Sequence, residues 1–180
     1  MDISIVICSY NRAHNLPECF DRLIAQEDVD DIRWEVVLVD NNSTDDTKAV
    51  AMRYAQAEDP TAESPRLNLR YCFEPQQGLS YARNKGIAES KGDIVVFIDD
   101  DIRVTPRWLR TIYDTFKAHD CDAMGGRIHR ESPAQLPKWI TPDMYGFLGH
   151  QDFGEEPHAM NGYDEAPFGG NMAMQRQVFE

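Results

Sequence analysis

The sequence predicts an α/β protein built on a doubly wound, mainly parallel sheet flanked by helices. Three observations predict it. The runs ISIVIC at 3–8 and IVVFI at 94–98 are apolar throughout, as strands buried on both faces are. Strand-like runs alternate with helix-period segments in the order β-α-β-α-β-α-β-α-β. A chain of 180 residues with 42% hydrophobic and 27% charged residues has ordinary globular composition and the size of one domain.

The elements follow in chain order. Residues 3–8 form the first strand, and polar SYNRAHN follows it. Leu16, Cys19, Phe20, Leu23 and Ile24 recur at helical spacing and predict a helix over about 15–26. WEVVLV at 34–39 is a second strand, ending at Asp40. The turn NNSTDD leads into a helix reaching about Ala57, with capping-box spacing between Ser43 and Asp46. EDPTAESPR at 58–66 reads as a surface loop. LNLRYCF at 67–73 alternates like a less buried strand. A helix then runs between Gly78 and Gly92, and IVVFI runs straight into Asp99-Asp100-Asp101. Thr105-Pro106 has the chemistry of a helix start, for a helix over about 106–118. CDAMGGRI at 121–128 completes the pattern, which then breaks: residues 130–170 hold five prolines and six glycines without a clean period. The division is therefore an α/β unit over 1–129 and an irregular segment over 130–180.

The charge narrows the partners. With 18 basic and 31 acidic residues the net charge is −13, which opposes nucleic-acid binding and docking on an anionic membrane by charge. Residues 141–180 carry seven acidic groups against Arg176 alone. Four widely spaced cysteines form no CxxC pair, so zinc-knuckle and thioredoxin-like chemistry is disfavoured and a reducing compartment is expected. The N-terminus has no basic flank and reads as a strand rather than a signal peptide. No apolar run approaches the about 20 residues of a membrane span. GxxxxGK[ST], GxGxxG after the first strand and GxSxG are all absent, which disfavours ATP hydrolysis, dinucleotide binding and acyl hydrolysis.

In doubly wound sheets ligands sit at the carboxyl ends of the strands. That rule gives weight to Ser9, Tyr10 and Asn11, to Asp40 and Asn41, and to Asp99, Asp100 and Asp101. Three successive carboxylates repel one another, and a divalent cation is the natural compensation. Alternation puts Asp99 and Asp101 on one side and Asp100 on the other, a D-x-D unit fit for Mn2+ or Mg2+ bridged to phosphates. The plainer alternative is a solvated acidic turn ahead of the next helix. Asp40 suits the imide N–H of a uracil or a ribose hydroxyl, or else it serves the turn before the next helix. Arg83 suits the acid cluster or a phosphate, or else a surface ion pair. Tyr10 offers a ring for stacking.

These motifs together resemble the family 2 glycosyltransferases of GT-A fold. The matching stretches are SIVICSYNR at 4–12, WEVVLVDNNSTDDT at 34–47, GLSYARNKGIAESKGDIVVFIDDD at 78–101 and FGGNMAMQRQVFE at 168–180. The resemblance implies inverting, metal-dependent transfer of a sugar from a nucleotide diphosphate sugar, commonly a UDP-sugar, to an acceptor hydroxyl, in polysaccharide or surface-glycan synthesis. It implies nucleotide contacts from Ser9, Tyr10, Asp40, Arg83, Asp99 and Asp100, and metal binding by Asp101. It implies a border of the donor sugar or acceptor formed by Gly169, Gly170 and Asn171. The partners implied are the nucleotide sugar and a glycan or lipid-linked acceptor, in the cytoplasm or peripherally at the inner membrane face.

The family's catalytic base lies in a segment after the GGN stretch, so it is expected beyond Glu180. Asp164 and Glu165 form an acidic pair, but upstream of that stretch. This leaves a non-catalytic nucleotide-sugar-binding domain as the alternative function. A nucleotidyltransferase lacks its basic phosphate loop here, and a receiver domain lacks its acids after the first strand. Trp139, Tyr145, Phe147, Phe153 and Tyr163 could stack on sugars, but burial of the loop against the sheet is the favoured expectation.

Overall fold

The structure is a computed structural model and describes residues 1–55, 67–131, 136–160, 162 and 165–180. Its strands are β1 (Ile3–Ser9), β2 (Trp34–Asp40), β3 (Leu69–Phe73), β4 (Ile94–Asp99), β5 (Ala123–Gly125) and β6 (Asn171–Gln175). Its helices are α1 (Leu16–Ile24), α2 (Thr47–Ala55), α3 (Leu79–Glu89) and α4 (Trp108–Ala118), with a 3-10 helix at Pro142–Leu148. The strands form one six-stranded sheet in the order β3-β2-β1-β4-β6-β5. β1 to β4 pair in parallel, whereas β6 runs antiparallel between β4 and β5.

The apolar runs are buried on both faces, as their composition requires. On one face Ile3, Ile5, Ile7, Val36, Leu38, Val96 and Ile98 pack with Leu16, Phe20 and Leu23 of α1, Val50 of α2 and Leu109 of α4. On the other, Val6, Val37, Val39, Val95 and Phe97 pack with Ala82 of α3. α3 lies close because Gly86 faces β1: a Cβ there would collide with Val6. Alternation along each strand thus decides which helix a side chain meets, and it continues to the strand ends.

Boundaries differ from the sequence expectation in informative places. α2 begins at Thr47, where the Asp45 carboxylate accepts both the backbone N–H, at 3.1 Å, and the hydroxyl of Thr47. Asp45 also accepts the Ala13 N–H at 2.9 Å, while the Ser43 hydroxyl accepts the Asn11 N–H at 3.0 Å. The Ser43–Asp46 capping box therefore does not form, because its serine is engaged by the first loop. β5 is only three residues long, and the NMAMQ stretch at 171–175 enters the sheet as an extra strand. Residues 171–175 accordingly join the first unit's own sheet. The loop predicted at 58–66 lies outside the described residues, as do Tyr163 and Asp164.

Candidate nucleotide-diphosphate site

The carboxyl ends of β1, β2 and β4 lie side by side. The register pairs Ser9 with Asp40 and Cys8 with Asp99. Side-chain alternation then divides the sequence-predicted residues between two sheet faces. Ser9, Asp40 and Asp100 belong with the α1 and α2 side. Asp99 and Arg83 belong with α3, against the Gly169-Gly170 backbone.

On the first face Asp100 is 3% exposed. Its Oδ2 accepts the Ser9 hydroxyl at 2.7 Å; its Oδ1 accepts Arg12 Nη1 at 3.2 Å and Asn15 Nδ2 at 3.4 Å. Asn15 precedes α1 yet makes no side-chain cap there, because its amide is turned toward Asp100. Arg12 Nη1 also reaches Asp101 Oδ2 at 2.9 Å, so one guanidinium bridges two of the three acids. Asp40 is 3% exposed and uses both oxygens: Oδ1 accepts the Ser43 N–H at 2.8 Å and Oδ2 accepts the Tyr71 hydroxyl at 2.7 Å. It serves the turn before α2 as an Asx-type acceptor and still keeps lone pairs free. Asn41 accepts the Gly78 N–H and donates to the Glu74 and Gln76 carbonyls, which fixes the loop entering α3. Tyr10 stands exposed at the rim.

On the second face a Cβ on Gly169 would collide with the Arg83 guanidinium, and one on Gly170 would press on Asp99 Oδ2. The glycine pair lets this backbone approach both charged groups. Arg83 also lies over the Phe97 ring, 5.9 Å from its centroid. The Asp99 carboxyl is pushed above the ordinary range, first by burial and then by the charge of Asp101, with Arg83 opposing. The Cys8 thiol beside it is pushed up to about 12, chiefly by burial, so it is no nucleophile.

β4 ends at Asp99, so strand alternation stops there; Asp100 and Asp101 form a turn and share the Arg12 guanidinium. Among the described residues no three His, Cys, Asp or Glu side chains gather closely enough to enclose an ion. The donor set is instead one or two hard carboxylate oxygens at an open edge. That fits a cation completed by phosphate oxygens and water, rather than an all-protein cage.

Asn171 takes a different place. Its Oδ1 accepts the Trp108 indole N–H at 2.9 Å and its Nδ2 donates to the Arg127 carbonyl at 3.1 Å. The side chain joins β6 to α4 and to the segment after β5. The loop aromatics do not bury as expected: Trp139 is 69% and Phe147 89% exposed, and Phe153 is also exposed. Among the described residues of this set Tyr145 is half-buried, edge-on to His150.

The sequence reasoning passed over Arg12, Asn15 and Tyr71. Arg12 and Asn15 follow β1 directly, so the strand-end rule could have included them. Tyr71 shows no comparable signal, because its meeting with Asp40 depends on the register between β2 and β3.

The sequence pattern described for glycosyl transferase family 2 matches residues 4–180. A glucosyl-dolichyl phosphate glucuronosyltransferase of Haloferax volcanii is 27% identical over 99% of this chain and 54% of its own length. Glycosyltransferase AglE of the same organism is 33% identical over 73% of this chain and 40% of its own length. The chain therefore spans about half the length of the curated relatives it matches. Among solved structures, a Pyrobaculum calidifontis mannosyltransferase in complex with GDP-Man and Mn2+ superposes with TM-score 0.67 at 22% identity, over 98% of this chain and 45% of its own. Mycobacterium tuberculosis glucosyl-3-phosphoglycerate synthase, in complex with Mn2+, UDP and phosphoglyceric acid, gives TM-score 0.62 at 19% identity, over 98% and 56%. The sheet is thus that of the GT-A fold, and the chain belongs to glycosyl transferase family 2.

Proposed function

We propose that this chain is the donor-binding part of an inverting, metal-dependent transferase that moves a sugar from a UDP-sugar to an acceptor hydroxyl. The pathway is polysaccharide or surface-glycan synthesis. One observation carries the reading: four carboxylates, Asp40, Asp99, Asp100 and Asp101, stand at one end of one sheet, with Arg83 and the Gly169-Gly170 backbone against Asp99. Solved neighbours in complex with UDP, UDP-GlcNAc or GDP-Man support a nucleotide-sugar donor.

In this reading Asp40 accepts a hydrogen bond from the base, and Tyr10 stacks on it. Asp100 holds Ser9, Arg12 and Asn15 so that the loop after β1 keeps its shape around the nucleotide. Asp101 and Asp99 would hold the divalent cation, Mn2+ or Mg2+. Bound there, it supplies countercharge to the diphosphate leaving group. Arg83 adds a fixed positive charge on the same side, and Gly169, Gly170 and the Asn171 backbone border the transferred sugar. Removal of the acceptor proton needs a carboxylate on the opposite face. In this reading the strand-end carboxylates serve the donor side, and none of them is assigned as the base.

The names of the relatives include transferases of dolichyl- and undecaprenyl-phosphate, which support a lipid-linked acceptor. We propose a place in the cytoplasm or peripherally at the inner membrane face. Among the described residues no helix is long and apolar enough to cross a membrane. The second reading is a non-catalytic nucleotide-sugar binder.

Calorimetric titration with UDP in Mn2+ and in EDTA tests the site; much weaker binding in EDTA is expected, and equal affinity would overturn metal dependence. Donor hydrolysis measured in Mn2+ separates the transferase from the binder.

A further inference from the structure

We propose that Tyr71 is a positioning residue for base recognition: its hydroxyl holds the Asp40 carboxylate in one orientation and thereby favours bases that present a ring N–H. The inference rests on the assignment of Asp40 to the base and goes beyond it, because it names the group that sets the carboxylate's direction.

Tyr71 lies in β3 opposite Leu38, two positions before Asp40. It shares the sheet face of Leu38 and packs its ring against that core. From there the hydroxyl reaches along the sheet to Asp40 Oδ2, at 2.7 Å. The Ser43 N–H takes Oδ1 at 2.8 Å, from the turn on the other side of the same strand end. A carboxylate has about four lone-pair sites. Two are filled from fixed donors, so the remaining two are fixed in direction. The phenol stays a donor, because burial first and Asp40 second both raise its pKa. The other charge facing the ring is Lys48, 5.7 Å from its centroid.

An ionised carboxylate can only accept, and the two fixed donors set the direction from which it does so. Uracil presents N3–H to it, whereas cytosine presents a bare N3 lone pair, which the carboxylate repels. Without the Tyr71 hydroxyl, the carboxylate is free to turn about its side-chain torsions and loses part of that discrimination. Tyr71 could alternatively be only a strut between β2 and β3. A strut changes stability without changing the preference between bases.

The test measures UDP and CDP affinity by calorimetry in Mn2+ for the unaltered chain, Tyr71→Phe and Asp40→Ala, with a thermal melt of each. Phe keeps the packed ring, so Tyr71→Phe is expected to stay folded. UDP affinity should fall about five-fold in Tyr71→Phe, the UDP-to-CDP ratio should narrow, and Asp40→Ala should abolish the ratio. If Tyr71→Phe lowers the melting temperature but leaves the ratio intact while Asp40→Ala abolishes it, Tyr71 is a strut and the inference is overturned. If Asp40→Ala leaves UDP affinity unchanged, the assignment of Asp40 to the base fails, and the inference fails with it.

Discussion

The Ser9 hydroxyl donates to Asp100 Oδ2 at 2.7 Å, tying the end of β1 to the turn after β4 across 91 positions. Asp100 is therefore the structural acid of the triplet, while Asp101 stands exposed with Arg12 on one oxygen. Asp100→Ala strands three donors and should cost about 1–3 kcal/mol of stability. Asp101→Ala removes a surface pair and should cost less than about 1 kcal/mol. Metal-dependent UDP binding should reverse the order, with the larger loss in Asp101→Ala. Urea unfolding and calorimetry on both variants check this, and equal losses in both measurements would refute the division of roles.

The opposite end of the sheet holds a second buried acid. Burial alone would raise the Glu35 carboxyl; hydrogen bonds from the Ser4 hydroxyl, Arg70 and the Lys91 N–H outweigh it and hold the carboxyl below the ordinary range. A group whose pKa is lower folded than unfolded stabilises the fold above its unfolded value, about 4.3, and ceases to do so as pH falls through the folded value. Glu35→Gln should cost about 1–3 kcal/mol at pH 7, and the gap should shrink as pH falls below about 4.3. Denaturant unfolding across pH 7 to 3 measures it; a gap independent of pH would show that the charge contributes nothing.

The sheet was legible because buried parallel strands leave continuous apolar runs, and ISIVIC, WEVVLV and IVVFI are such runs. β6 was not legible: NMAMQ is short and mixed, and its pairing with β4 and β5 makes it a strand. At the site, position after a strand pointed to Asp40, Asp99, Asp100 and Asp101, since carboxylates directly following apolar runs need compensation. Partner choice was invisible. Tyr71 meets Asp40, and Trp108 meets Asn171, through registers and packing that span 31 and 63 positions. The loop aromatics misled because a ring in a Pro-rich segment carries no periodicity to say which way it faces.

Arg83 and Gly169 should act as a unit. A methyl group on Gly169 collides with the guanidinium, so Gly169→Ala should displace Arg83 from the diphosphate side. UDP affinity should fall several-fold, by about as much as in Arg83→Ala. Because both changes remove one interaction, the double variant should be no worse than Arg83→Ala alone. Calorimetry on the three variants checks it. Fully additive losses would mean that Gly169 serves the ligand by another route.

Asn171 tests whether a residue of the glycine-rich stretch serves the fold or the ligand. Its amide joins Trp108 on α4 to the Arg127 carbonyl after β5, and a Cβ on Gly126 would collide with it. Asn171→Ala leaves an indole N–H and a carbonyl unpaired and should cost about 1–3 kcal/mol. UDP affinity should change less than two-fold, because the side chain has its partners within the protein. Asn171→Asp should be worse for stability, since it keeps the acceptor for Trp108 but sets an anionic oxygen against the Arg127 carbonyl. Tryptophan fluorescence reports on the indole, urea unfolding on stability, and calorimetry on the nucleotide. A large loss of UDP affinity with unchanged stability would move Asn171 from the scaffold into the binding site.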